Sequence, residues 1–148
     1  MPPAMKAALE RPLKPGRHFL LRLPGGCDIL GFLTEFCAVK KVRCAAVSLI
    51  GATYEATIGY YDQVKHAYAR TTYRQEMEIV SCTGNVSLKD GKPFLHLHAV
   101  LGDTELRCFG GHLFPGSKVF AAEAHVQELK GARARVPDPA TGLALWCP

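Results

Sequence analysis

Apolar and polar positions change period several times along the chain. The run HFLLRL from His18 to Leu23 is short and apolar and ends at Pro24-Gly25-Gly26, which predicts a first strand. Ile29, Leu30, Leu33, Phe36 and Cys37 then recur at helical spacing behind Asp28, a residue suited to an N-cap. Residues 28–39 are therefore expected to form the one substantial helix, with Lys40 and Lys41 complementing its dipole at the far end. Beyond it the period falls to two. Val42 to Ile50, Thr53 to Tyr61, His66 to Tyr73 and Glu78 to Leu88 are rich in β-branched and aromatic residues, and Gly51, Asp62-Gln63 and Arg74-Gln75-Glu76 punctuate them. Asp90-Gly91 marks a tight hairpin leading into Pro93 to Leu101, followed by Glu105 to Phe114 and a last strand, Val119 to Leu129.

This succession predicts an α+β fold, a mainly antiparallel β-sheet packed against one principal helix, in a single domain. In Pro93 to Leu101 the alternate positions Phe94, His96, His98 and Val100 leave both faces largely apolar. A sheet with one face on its helix needs a cover for the other, and self-association is the simplest source. Residues 1–16, with four prolines, read as an extended arm, residues 17–130 as the domain, and residues 131–148 as an extended tail. Leu143, Leu145 and Trp146 in that tail either dock on a neighbour or hang loose.

Three of the six histidines fall in the stretch DGKPFLHLHAVLGDTELRCFGGHL. His96 and His98 project from one face of a strand, roughly 6–7 Å apart along the backbone. His112 joins them only if the hairpin at Gly102-Asp103 has an odd loop, such as Gly102-Asp103-Thr104, or if Gly110-Gly111 supplies a bulge. Three neutral imidazoles with a free position are a common divalent-metal pattern, zinc above all. The alternative is histidines on the solvated face of a sheet.

Composition adds limits. At 148 residues, with 48% hydrophobic and 21% charged positions, the chain suits one folded domain. The net charge of +5 permits contact with a polyanion without requiring it. Cys27, Cys37, Cys44, Cys82, Cys108 and Cys147 include no CxxC pair and read as free thiols of a cytoplasmic protein. No secretory h-region and no apolar run long enough to span a membrane occur.

With the helix, GNVS at 84–87, DGKPFLHLH at 90–98, GGHL at 110–113 and Ala122-Glu123 in that order, the sequence resembles the PPC family, the plant and prokaryote conserved domain, over roughly Gly16 to Lys130. The resemblance implies a homotrimer, metal binding at His96, His98 and His112, and association with DNA. In plant members an AT-hook precedes the domain; Arg133-Ala134-Arg135 lacks the glycine and proline of such a hook.

Two functions follow as expectations. The first is a trimeric binding or regulatory protein with a three-histidine metal site, associated with DNA through the family. The second is a zinc-type enzyme acting on a small molecule, for which Glu78, Asp103 and Glu123 are the nameable acids or bases; the simpler reading of each is a surface carboxylate or turn former. No GxSxG elbow, Walker A loop or GxGxxG fingerprint is present.

Overall fold

The computed structural model describes residues 10–147. Part of the arm expected over residues 1–16 thus lies outside the described residues, and β1 (Lys14–Leu23) begins within the rest of it. Helix α1 (Ile29–Val39) follows, then β2 (Ala45–Asp62), β3 (Ala67–Tyr73), β4 (Met77–Lys89), β5 (Lys92–Gly102), β6 (Cys108–Lys130), β7 (Arg135–Pro137) and β8 (Ala144–Trp146). One helix on a wholly antiparallel six-stranded sheet is the expected α+β arrangement. Among the described residues no helix is long and apolar enough to cross a membrane.

Two expected breaks are bends inside longer strands. The expected strands Val42 to Ile50, which here starts only at Ala45, and Thr53 to Tyr61 merge into β2, and Gly51 marks a bulge rather than an end, with φ of 144°. A Cβ there would strike the backbone of Ala121 and Ala122, so only glycine fits both the dihedral and the close approach. Likewise the expected strands Glu105 to Phe114, which here starts only at Cys108, and Val119 to Leu129 are joined in the 23-residue β6, which bends at Pro115-Gly116-Ser117 where its register against β2 shifts. These bends let two long strands pair with different partners along their lengths. β2 pairs with β4 in its first half and β3 in its second, while β6 pairs with β5 early and β1 late. Since β2 and β6 also pair with each other, β2, β4, β5 and β6 close into a ring.

The helix covers one side of this curled sheet. Ile29, Leu33 and Cys37, spaced by four, are buried against Leu97, Leu101, Val126 and their neighbours. Asp28 is the N-cap, its carboxylate accepting from Gly31 N at 2.7 Å, and its other oxygen accepts from Gly116 N and Ser117 N at the β6 bend. At the far end Lys40 is the C-cap and Lys41 is left-handed with φ of 56°, so neither lies in the last turn. The cation meeting the helix terminus is instead Arg17 of β1, which donates to the Lys40 carbonyl at 2.8 Å.

Residues beyond Lys130 fold back on their own domain. Leu88 N donates to Arg133 O at 2.6 Å, and β7 and β8 pair as a small hairpin. Leu143 and Leu145 thereby line a cavity of the same chain, and Tyr61 Oη donates to Thr141 O at 2.7 Å.

Candidate metal centre

Antiparallel pairing places residues on one face by register alone. Gly102 pairs with Cys108, so the loop between β5 and β6 is the five residues 103–107, and His98 lies directly opposite His112. The count is odd, as convergence required, though the loop is longer than the three residues expected and Gly110-Gly111 makes no bulge. Its length is set by Asp103, whose buried carboxylate accepts from Glu105 N, Arg107 N and Arg107 Nε and thereby shapes the turn.

The same bookkeeping extends across the sheet. On β4, Asn85 faces His96 and Ser87 faces Phe94; on β2, Gly59 faces His112; on β3, Arg70 faces Gly59 and Tyr68 faces Tyr61. All share the face that turns away from the buried Leu95, Leu97 and Ala99. Gly84 lets β4 approach β5 here, since a Cβ at that position would collide with the His96 carbonyl.

On this face His96, His98 and His112 meet. Their ring centroids lie 5.1, 5.1 and 5.3 Å apart, and one nitrogen from each ring falls within 4.8 Å of the others. His96 Nε2 and His98 Nε2 are 3.1 Å apart. Two imidazole nitrogens on one tetrahedral zinc, each about 2.05 Å from it, stand about 3.3 Å from each other. His112 Nδ1 is buried and has no hydrogen-bond partner, the condition of an atom made to serve another ligand.

Electrostatics favours the same use. Burial is the largest cause holding His96 down to about 4, with Arg135 and then His98 adding to it. Burial also leads at His112, likewise held down to about 4, with His96, His98, Arg70 and Arg135 contributing. Both rings are therefore neutral at physiological pH and offer lone pairs, as metal ligation requires. The donor set fits a divalent ion such as zinc. When bound with a position left free, such an ion supplies Lewis-acid polarisation of an oxygen ligand.

The triad opens into a cavity of about 1240 Å³. Its far wall is the β7–β8 hairpin, held there by Arg135, which donates Nε to Ser87 Oγ at 2.7 Å, Nη1 to Ala144 O at 2.9 Å and Nη2 to Asn85 Oδ1 at 2.9 Å. Arg135 Nη2 also lies 3.4 Å from His96 Nδ1. The sequence places Arg135 only in the expected extended tail, with no sign of this role. Tyr61, Tyr68, Arg70 and Phe114 also surround the triad, and strand alternation from His112 and Gly59 was the signal that would have found them.

None of the three carboxylates considered as acids or bases lines this cavity. Asp103 is committed to its loop. Glu123 pairs with Ile50, nine residues along β2 from Gly59, the partner of His112; at ~3.3 Å per residue that is roughly 25–30 Å away. Glu78 lies with Glu123 beside a separate small depression.

Comparison with known proteins bears on this site and fold. A metal-containing protein from Archaeoglobus fulgidus of known crystal structure is 43% identical, with TM-score 0.90, over 97% of this chain and 100% of that one. A plant- and prokaryote-conserved (PPC) protein from Pyrococcus horikoshii is 39% identical, with TM-score 0.88, over 97% and 98% of the two chains. A protein from Bacteroides thetaiotaomicron, described provisionally as DNA-binding, is 26% identical, with TM-score 0.84, over 91% and 96%. Among curated sequences, a bifunctional protein GlmU from a Synechococcus strain is 31% identical over 146 residues, 95% of this chain, and the chain spans only 22% of that protein's length. The model of the Plants and Prokaryotes Conserved (PCC) domain matches residues 10–130, which include β1 through β6, the helix and all three clustered histidines, and the chain belongs to that family.

Proposed function

We infer that this chain is a metal-dependent binding protein, with His96, His98 and His112 holding one divalent ion, zinc in the first instance, and a coordination position left open to the cavity. The observation that carries this reading is the convergence of one ring nitrogen from each of the three histidines within 4.8 Å, beside the buried and unpartnered His112 Nδ1. The description of the Archaeoglobus relative as metal-containing supports it. The reading takes a binding or regulatory role; among the described residues no aspartate or glutamate lines the cavity, and Tyr61, Tyr68 and Lys89 are the groups there able to exchange a proton.

The reading includes a cytoplasmic homotrimer. Leu20, Ile50, Tyr54 and Phe120 are between 50% and 72% exposed on the first, second and sixth strands, an apolar surface of the kind a symmetric assembly covers. Six free thiols, of which burial pushes Cys37 up to about 11 and Cys82 up to about 12, suit a reducing compartment.

The experiment is elemental analysis and solution mass of protein purified without added metal, alongside His98→Ala and His112→Ala. About one equivalent of zinc per chain, lost in both variants, supports the reading. Metal content unaffected by either substitution removes it.

A second reading, association with DNA, is favoured by the description of the Bacteroides relative and by the net charge of +5. Contact would be through phosphates and would weaken steeply with salt. Absence of any shift in a fluorescence titration with duplex DNA at low salt would eliminate it.

A further inference from the structure

The charge around the triad is one-sided. Arg70, Lys89 and Arg135 line the cavity, and among the described residues no aspartate or glutamate does. Among the described residues none of these three cations has a carboxylate partner. Arg135 is partly buried and hydrogen-bonds only neutral acceptors: a hydroxyl, a carbonyl, an amide oxygen and an imidazole nitrogen. A desolvated guanidinium without a counter-charge is unfavourable, and a dication held by three neutral histidines would deepen the imbalance. Arg70 sits with its guanidinium carbon 3.9 Å from the centroid of Phe114, whose ring is 4.7 Å from that of His112. Its N–H groups make no hydrogen bond among the described residues, which leaves the donor fork free. Part of the remaining wall is aromatic, with Tyr61, Tyr68 and Phe114 packed edge to face or tilted against one another.

We propose that this cavity binds a small organic anion, its carboxylate or phosphate-type group held between the metal at the histidine triad and the free guanidinium of Arg70, and its apolar body against Tyr61 and Tyr68. The proposal rests on the metal reading above for one of its two anchors. The other anchor, Arg70, belongs to the chain itself. The anion supplies the missing counter-charge for Arg135 and Lys89 as well as a ligand for the open coordination position. A concave cavity with aromatic residues in its lining suits a small molecule.

The test is isothermal titration of the full chain, zinc-loaded and chelator-stripped, with benzoate, phenylphosphonate and neutral benzamide, in the wild type, Arg70→Gln and Arg70→Lys. Zinc content is measured on each sample. The expected result is that benzoate or phenylphosphonate binds at least tenfold more tightly than benzamide to the zinc-loaded wild type. Arg70→Gln weakens that binding at least fivefold with zinc content unchanged, and Arg70→Lys restores part of it. Whichever acid binds better identifies the head group. A chain that carries zinc yet binds neither acid, binds benzamide equally well, or is indifferent to Arg70→Gln overturns the proposal and leaves the metal reading standing. A chain that takes up no zinc but binds the acids in an Arg70-dependent way upholds the anion site and removes the metal.

Discussion

Arg135 Nη2 approaches His96 Nδ1 to 3.4 Å, while His96 Nε2 lies 3.1 Å from His98 Nε2. A guanidinium has only donors, so this contact requires the lone pair on Nδ1 and puts the imidazole proton on Nε2. A metal taken at Nε2 demands the opposite tautomer, with the proton on Nδ1 facing Arg135. The contact to Arg135 and ligation through Nε2 therefore exclude each other, and the guanidinium charge adds repulsion toward a dication. Arg135→Gln is expected to raise zinc affinity roughly three- to tenfold, the scale of one partly screened charge at close range. Competition titrations with a chromophoric chelator measure it, and weaker zinc binding in Arg135→Gln would contradict the tautomer argument.

Gly84 sets how closely β4 approaches His96. A methyl group at this position collides with the His96 carbonyl, which belongs to the backbone and has nowhere to rotate. Gly84→Ala should then push the two strands apart, destabilising the fold by about 2 kcal/mol and lowering metal affinity through displacement of His96. Urea unfolding and zinc titration report the two effects separately. A folded variant with unchanged zinc affinity would mean that β5 yields without moving its histidine.

What was legible beforehand follows from range. His96 and His98 share a face by alternation, and His112 joins them through a parity that needed only one local loop count. The helix 28–39 was legible because Asp28 and the Ile29, Leu33, Cys37 stripe are both local signals. The joins within β2 and β6 were not, because Gly51 and Pro115-Gly116 terminate strands more often than they bend them, and here pairing between the two long strands overrides that preference. Arg135 was out of reach for a different reason. Its role depends on Ser87 and Asn85, 48 and 50 residues upstream, meeting a short hairpin with no strong propensity of its own. Nothing local distinguishes such an arginine from a solvated one.

Asp28 joins two distant segments through one carboxylate. One oxygen caps α1 at Gly31 N, and the other accepts from Gly116 N and Ser117 N, holding the bend of β6 against the helix start. Asp28→Ala removes the cap and leaves two further amides without their acceptor, so a loss of about 2–3 kcal/mol is expected. Asp28→Asn keeps one acceptor oxygen and should recover the cap but not both bend contacts. Chemical denaturation of the two variants resolves the order wild type, Asn, Ala; equal stability of Asn and Ala would show that charge rather than cap geometry matters.

Glu128 and Arg17 provide a pH-dependent clasp between β6 and β1. Glu128 accepts from Arg17 Nε at 2.7 Å, Nη2 at 2.8 Å and the Arg17 backbone N at 3.1 Å, and the side-chain hydrogen bond is the largest cause holding its carboxyl down to about 2. The free carboxylate titrates near 4.5, so between those values the unfolded chain takes up a proton that the folded chain resists. The contribution of this pair is therefore complete above about pH 4.5 and disappears as pH falls toward 2. Because Arg17 is half exposed, solvent screening keeps the contribution small. Thermal melts of wild type and Glu128→Gln across this range should differ by a few degrees at pH 6 and converge near pH 2. A gap that persists undiminished at the acid end would show that the carboxylate charge is not what the clasp uses, leaving the neutral hydrogen bonds to Arg17 and the reach of Arg17 to the Lys40 carbonyl as its substance.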